Sequence, residues 1–498
     1  MISGHLPALQ VVLPLMAAPL CLVLRRSTTT WGLALAATWG SLAIAIMLLL
    51  QVLSTGPVSY EIGNWAAPWG IEYRVDMVSA FVLVIVAALG SLVMPFARLS
   101  VAREVAADRV YLFYTMYLLS LAGLLGIAIT GDVFNLFVFL EISSLSSYVL
   151  IGLGGDRRAL TAAFRYLVMG TIGATFYIIG VGMMYMMTGT LNMADLATLL
   201  PAVADTRTIQ AALAFLTVGL SLKLALFPLH LWLPNAYTHA PSVVTAFLAG
   251  TATKVAVYAL IRVYFTIFGG VDVFETFFIR EVLMGLALVA MFAASAVAVF
   301  QTNIKRMLAY SSVAQIGYMI LGISFATVTG LAGGIVHLFN HALMKGVLFM
   351  AMGCVFWRLG SVHIRDLAGL GRRMPVTMAA FVVGGLSLIG VPLTVGFISK
   401  WMLIQAALEK GWWPIAVLVL ISSLLAVIYI WRVVEVAYFR PVAAESGAES
   451  ASKIAEAPLS MLLPMWALAG ACLYFGIDAT RTLEVALAAA AMLLGTTP

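Results

Sequence analysis

Residues 216–262 read LTVGLSLKLALFPLHLWLPNAYTHAPSVVTAFLAGTATKVAVYALIR. Two apolar segments, each long enough for a membrane helix, carry Lys223 and Lys254 near their middles. A charged side chain at the bilayer centre costs roughly 2.5–3.5 kcal/mol on insertion scales, so it belongs in a protein interior or beside a water-filled path. Pro228 interrupts the first segment, and Pro234 and Pro241 follow it. Proline removes a backbone donor and clashes with the preceding turn. Broken backbone at membrane depth is tolerated only where protein or water satisfies it. Two intramembrane lysines beside a broken helix therefore predict a path for protons or cations.

The rest of the chain fits a polytopic, all-α membrane protein. Of its 498 residues, 63% are hydrophobic and 10% charged, against about 25% charged in a soluble domain. A span needs about 20 apolar residues. Fourteen candidates result: 6–24, 31–53, 77–97, 110–130, 132–153, 161–187, 209–231, 242–267, 280–300, 305–325, 329–357, 376–408, 414–439 and 460–477. The first lacks a basic start and a small-residue cleavage site, so it is read as a span rather than a signal peptide. The polar run 443–457 reads as a surface linker. The expected organisation is N-terminal helices over 1–109, a first unit over 110–267, a second over 280–440, and the linker with a last helix over 441–498.

Loop charge sets the expected orientation. Of 27 Lys and Arg residues, 17 fall in one set of alternate loops, six in the other, and four inside helices. Cytoplasmic loops attract Lys and Arg. The Arg157–Arg158 and Arg372–Arg373 loops are thus expected in the cytoplasm of a cell (inner) membrane protein, with both termini outside. A short repeat supports two related halves. GLSLK at 219–223 precedes Pro228, and GLSL at 385–388 precedes Pro392 and then Lys400. The two segments lie five helices apart, an odd offset that reverses direction, as in inverted repeats with broken helices.

Several classes of chemistry lack support. Cys21, Cys354 and Cys472 are far apart and no CxxC occurs, which argues against an iron–sulfur or structural zinc site. Neither phosphate-loop nor GxGxxG patterns appear, so no cofactor is expected.

The ionisable residues inside spans carry the functional reading. Glu141 lies in DVFNLFVFLEISSLSSYVLI, with Ser144 and Tyr148 near it on helical spacing. A carboxylate facing a lysine can switch that lysine between charged and neutral forms. The competing reading is a fixed ion pair that only locks two helices. Lys223, Lys254, Lys345 and Lys400 are proton-carrier candidates, because burial brings a lysine toward neutrality. The alternative is snorkelling of the long stem to the interface. His337, His341 and Lys345 share a helix face at i, i+4, i+8, which favours a relay. A zinc site there lacks a third ligand. His230 and His239 flank the broken helix as a proton mouth or as ordinary loop residues.

These motifs resemble a known family. GDVFNLFVFLEISSLSSYVLI, SLKLALFPLHLWLPNAYTHAP, IKRMLAYSSVAQIGYMILG, HLFNHALMKGVLF and GVPLTVGFISKW are similar to the antiporter-like subunits of respiratory complex I and Mrp-type cation/proton antiporters. The resemblance runs from about residue 70 to 440. GDVFNLFVFLE looks most like the D-type subunit of Mrp antiporters, with membrane-bound hydrogenase homologues close behind. The resemblance implies that Glu141 and Lys223 form a coupling pair, that Lys254 passes the proton inward, that His337 and His341 continue the path, and that Lys400 is its exit. In some complex I subunits a glutamate takes the place of Lys400. Gln315 stands where many complex I relatives have histidine, which puts a relay through that position in doubt. The resemblance also implies two inverted five-helix repeats and a C-terminal appendage.

The function so implied is proton translocation within a Na+/H+ antiporter complex. The alternatives are a pumping subunit of a complex I-type oxidoreductase or hydrogenase, and a scaffold that energises a peripheral enzyme. The chain shows no redox or hydrolytic site of its own. The implied partners are other membrane subunits of a hetero-oligomer, protons with Na+ or K+, and the lipid bilayer, with no nucleic acid.

Overall fold

Pro228 lacks an N–H, and its ring clashes with the carbonyl four residues earlier, which is that of Leu224. In a computed structural model that describes residues 2–441 and 455–496, the helix ends at Leu224. The sequence-based span 209–231 is therefore a helix followed by turns.

The helices, in order, are α1 Leu6–Leu24, α2 Ser27–Thr55, α3 Met77–Glu104, α4 Val110–Ile129, α5 Val133–Gly152, α6 Arg157–Thr188, α7 Met193–Leu199, α8 Arg207–Leu224, α9 Trp232–His239 and α10 Ser242–Arg262. They continue with α11 Val273–Thr276, α12 Ile279–Val299, α13 Ile304–Ser324, α14 Val328–Leu359, α15 Leu370–Arg373, α16 Pro375–Ile389, α17 Val395–Glu409, α18 Trp413–Phe439, α19 Leu459–Ile477 and α20 Thr480–Leu493. An antiparallel hairpin, β1 Val58–Glu61 and β2 Glu72–Val75, pairs Val58 with Val75 between α2 and α3. Neither this hairpin nor α20 is foreseen by the hydropathy reading.

Among the described residues, twelve helices are long and apolar enough to cross a membrane. The difference from fourteen lies in the two broken segments. Span 209–231 yields the 18-residue α8 followed by turns, with α9 starting only at Trp232, and span 376–408 splits into α16 and α17. The molecule is a multi-pass membrane protein. Outward faces of α6, α12 and α18 expose Leu160, Phe164, Val282 and Leu424, apolar surface suited to lipid. The interior belongs to α10, α13 and α14. α10 packs against α14, α3 and α8, and α14 packs against α13, α16, α17 and α19.

Caps explain where the helices start. Asp76 accepts from the Ser79 backbone N–H at 3.0 Å, and Ser79 Oγ receives the Asp76 N–H at 2.8 Å, closing the first turn of α3. Asp132 caps α5 through Asn135 N–H at 2.6 Å. The expected linker 443–457 falls largely outside the described residues. Its Glu456 is no free surface residue: it accepts from Val376 N–H at 2.9 Å and Thr377 N–H at 3.3 Å, satisfying the open first turn of α16.

Candidate functional site: a buried chain of ionisable side chains

The first break positions Lys223. Ala225 turns left-handed at φ 60°, and Leu226 N–H bonds back to Ser221 O at 3.0 Å. Trp232 Nε1 donates to Leu222 O at 2.9 Å, satisfying one of the carbonyls left open at the helix end. Lys223 thus sits in the last turn of α8 rather than mid-helix. Its Nζ donates to Glu141 Oε1 at 3.0 Å and to Ser144 Oγ at 2.8 Å. The lysine side chain is 4% exposed and the glutamate 23%. Tyr148, one turn beyond Ser144 on α5, packs edge-on against Tyr166, and its hydroxyl has no protein hydrogen-bond partner.

Between Lys223 and α10 lies a cavity of about 20 Å³, walled by Ser143, Ser144, Ser147, Ala252 and Ala256. That volume suits one water. Lys254 lies two residues from each alanine, about 200° around α10, so it projects from the other side. Its Nζ donates to Ala249 O and, at 3.3 Å, to Thr253 Oγ1. Lys254 is fully buried. It lies within Coulombic reach of His337, His341 and Lys345 across the α10–α14 interface. Lys223, Lys254, Lys345 and Lys400 are all buried within the protein rather than extended along its surface.

On α14, the His337 and His341 rings stack 6.2 Å apart and 4° from parallel. His337 Nδ1 and Ser399 Oγ share a hydrogen bond at 2.9 Å. Both nitrogens of His341, and His337 Nε2, have no protein partner. A buried polar group without one calls for ordered water. Gln315 is buried on α13, and its Oε1 is likewise unpartnered. Lys345 Nζ donates to Leu308 O at 2.7 Å and to Ser311 Oγ. Among the described residues, no three His, Cys, Asp or Glu side chains gather to hold a metal.

At the second break Gly390 adopts φ 90°, a left-handed turn that favours glycine. Lys400, in α17, donates to Leu388 O at 3.0 Å and Ile389 O at 2.8 Å. Its ammonium also sits 4.9 Å from the Tyr318 ring centroid, and Tyr318 packs against His337.

The two expected mouth histidines separate. His230 is buried and stacked on Phe227. His239 pairs with Asp156 at 3.2 Å and lines a vestibule of about 350 Å³. The Arg158 backbone N–H, helped by His239, holds the Asp156 carboxyl below the usual carboxylate range. Burial holds the His239 ring below its ordinary value against the pull of Asp156.

Two buried ion pairs escape sequence reasoning. Arg262 Nη2 meets Asp76 Oδ1 at 2.5 Å, with Arg262 Nε donating to Tyr258 OH at 2.8 Å. Lys305 Nζ lies 3.9 Å from Glu104 Oε2. Both carboxylates are at ends of α3, where a sequence reading places them in loops. Each partner is more than 180 residues away in the chain, so no local spacing reveals the pairing.

Comparison with known proteins gives consistent likenesses. The family model described as NADH:quinone oxidoreductase/Mrp antiporter, TM, matches residues 130–426. NADH-quinone oxidoreductase subunit N of Desulforudis audaxviator (strain MP104C) is 43% identical over 482 residues, 94% of each chain. The D-type subunit of the Na(+)/H(+) antiporter of Alkalihalophilus pseudofirmus is 33% identical over 394 residues, 79% of this chain and 78% of that one. A chain in the structure of the Mrp complex from Dietzia sp. DQ12-45-1b superposes with a TM-score of 0.89 at 27% identity, covering 99% of this chain and 98% of that one.

Proposed function

The chain belongs to the NADH:quinone oxidoreductase/Mrp antiporter transmembrane family, and on that footing we propose that it moves protons in a Mrp-type monovalent cation/proton antiporter complex. The observation that carries this reading is the Glu141–Lys223 pair at 3.0 Å, beside a serine-walled cavity large enough for one water. A proton added to Glu141 breaks the pair and leaves Lys223 an unpaired buried charge. That charge costs several kcal/mol, roughly, which drives Lys223 to pass a proton on. From the serine cavity the path runs to Lys254 and along His341 and His337 to Lys400. Water joins the groups that have no protein partner. Residues 110–267 and 280–440 act as the two halves of this path, and the basic loops face the cytoplasm of the cell membrane.

A second reading has a specific support. The 43% identity to an oxidoreductase subunit N over 94% of both chains favours a complex in which redox chemistry elsewhere drives the same path. Reconstituting the purified native complex separates the two. An imposed pH gradient dissipated by added Na+ or K+, without any electron donor, supports the antiporter. Proton movement that requires an electron donor and acceptor supports the redox-driven complex.

A further inference from the structure

The path described so far has no group that takes protons from the basic-loop side. His230 is buried away from the vestibule, and His239 is held by Asp156. The vestibule itself leads elsewhere. It is open, holds about 350 Å³, and has Glu104 and Lys305 on its lining.

Glu104 sits in the last turn of α3, with its side chain 9% exposed. Oε1 accepts from Ser100 Oγ at 2.7 Å. Oε2 accepts from Ser242 N–H at 2.9 Å and Ser242 Oγ at 3.1 Å, at the first turn of α10. Lys305, 4% exposed, approaches the same oxygen at 3.9 Å and donates to Ala240 O at 3.4 Å. The other charged or titratable groups around them are Arg103, Asp156, Arg158, His239 and His363. Lys305 begins the first turn of α13, and Leu308 and Ser311 follow one and two turns on. Those are the two groups that hold Lys345 Nζ. At 1.5 Å per residue, Ser311 lies about 9 Å along α13 from Lys305.

We propose that Glu104 and Lys305 form a proton intake that feeds Lys345 from the vestibule. The inference rests on the proton-moving reading above. A proton from vestibule water binds the Glu104 carboxylate. It then transfers to Lys305 Nζ, which must be neutral to receive it. A short swing of the lysine stem or one water closes the 3.9 Å gap. Lys305 returns to neutrality by passing the proton along the Ser311 face of α13 to Lys345, and thence to the α10–α14 interface.

The test uses the intact complex in vesicles, with proton movement followed by a pH dye and subunit levels by blot. Glu104→Gln keeps the shape and removes the proton acceptor. The expected result is at least a tenfold lower rate at alkaline vestibule pH, with the deficit narrowing as pH falls. Loss of the α10 cap alone lowers the rate by one factor at every pH, and that pattern overturns the proposal. Glu104→Asp keeps a carboxylate and should retain most of the rate. Lys305→Arg keeps the ion pair but cannot release its proton, so it should assemble and run at least tenfold slower; wild-type rates in this variant overturn the carrier role of Lys305. Where Lys223→Ala is inactive but Glu104→Gln is normal at all pH values, the intake is wrong and the functional reading stands. Where neither changes proton movement, the functional reading itself fails.

Discussion

Lys400 Nζ donates to the Ile389 carbonyl at 2.8 Å, across the break between α16 and α17. With Leu388 O at 3.0 Å, it satisfies two of the carbonyls that a helix end leaves open. The residue therefore holds the break together, and the proposed path also gives it a proton to carry. These two duties predict different outcomes for different replacements.

Lys400→Arg keeps a donor for both carbonyls but cannot deprotonate. It should assemble at wild-type levels and move protons at least tenfold more slowly. Lys400→Met removes the donor, costing about 1.5–3 kcal/mol for charge-assisted hydrogen bonds, and should lower assembly as well. Lys400→Glu faces two carbonyl oxygens that only its protonated form can hydrogen-bond, so its partial activity should lie on the acid side. pH-gradient dissipation in vesicles, with subunit levels by blot, distinguishes the three. An Arg variant as active as wild type shows that the residue supplies a fixed charge only.

Gly219 sets how closely α8 approaches α6. A Cβ there would lie 2.7 Å from the Gly173 carbonyl and 2.8 Å from Tyr177 N, so neither helix can yield without backbone movement. Small residues permit such close packing in membranes. Gly219→Val should cost about 1–3 kcal/mol through overpacking and displace Lys223 from Glu141. Gly182→Ala meets nothing within 4 Å, so it should leave proton movement unchanged and stabilise α6 by about 0.5–1 kcal/mol, the helix-interior advantage of Ala over Gly. Thermal unfolding of the purified variants, with transport assays, checks both expectations.

Asp76 and Arg262 tie the start of α3 to the end of α10 in a buried pair. Removing one partner strands the other charge, at about 3–5 kcal/mol. Asp76→Asn and Arg262→Leu should each lower the unfolding temperature, and the double variant should recover much of the loss. Additive losses in the double variant would show that the two residues act independently.

Cysteines placed at Arg158 and Arg372 should resist an impermeant thiol reagent in intact cells and react after permeabilisation. Ready labelling of both from outside contradicts the orientation drawn from loop charge.

The membrane helices are legible in the sequence because an apolar run of about 20 residues matches the bilayer core and little else. The breaks are legible less sharply. Proline marks where a helix cannot continue, but α8 ends four residues before Pro228, at the carbonyl its ring would strike. Glu141 and the four intramembrane lysines stand out because their burial is costly. The sequence places Arg262 on the sparsely basic side, whereas the structure buries it against Asp76. Glu104 and Lys305 do not stand out, since polar residues near span ends look like ordinary interface residues, and Ser399, inside span 376–408, does not because a serine in an apolar helix can bond its own backbone. Their roles depend on contacts between segments far apart in the chain, which periodicity cannot encode.

Glu141 and Lys223 gate proton movement, in the mechanism proposed above, rather than merely locking α5 to α8. Proton exchange by the assembled complex, measured for Glu141→Gln, Lys223→Ala and the double variant, tests this most directly. The expected result is normal subunit levels and at least a tenfold loss of exchange in all three, with no recovery in the double variant. Full exchange by an assembled Glu141→Gln complex, or recovery in the double variant, contradicts it.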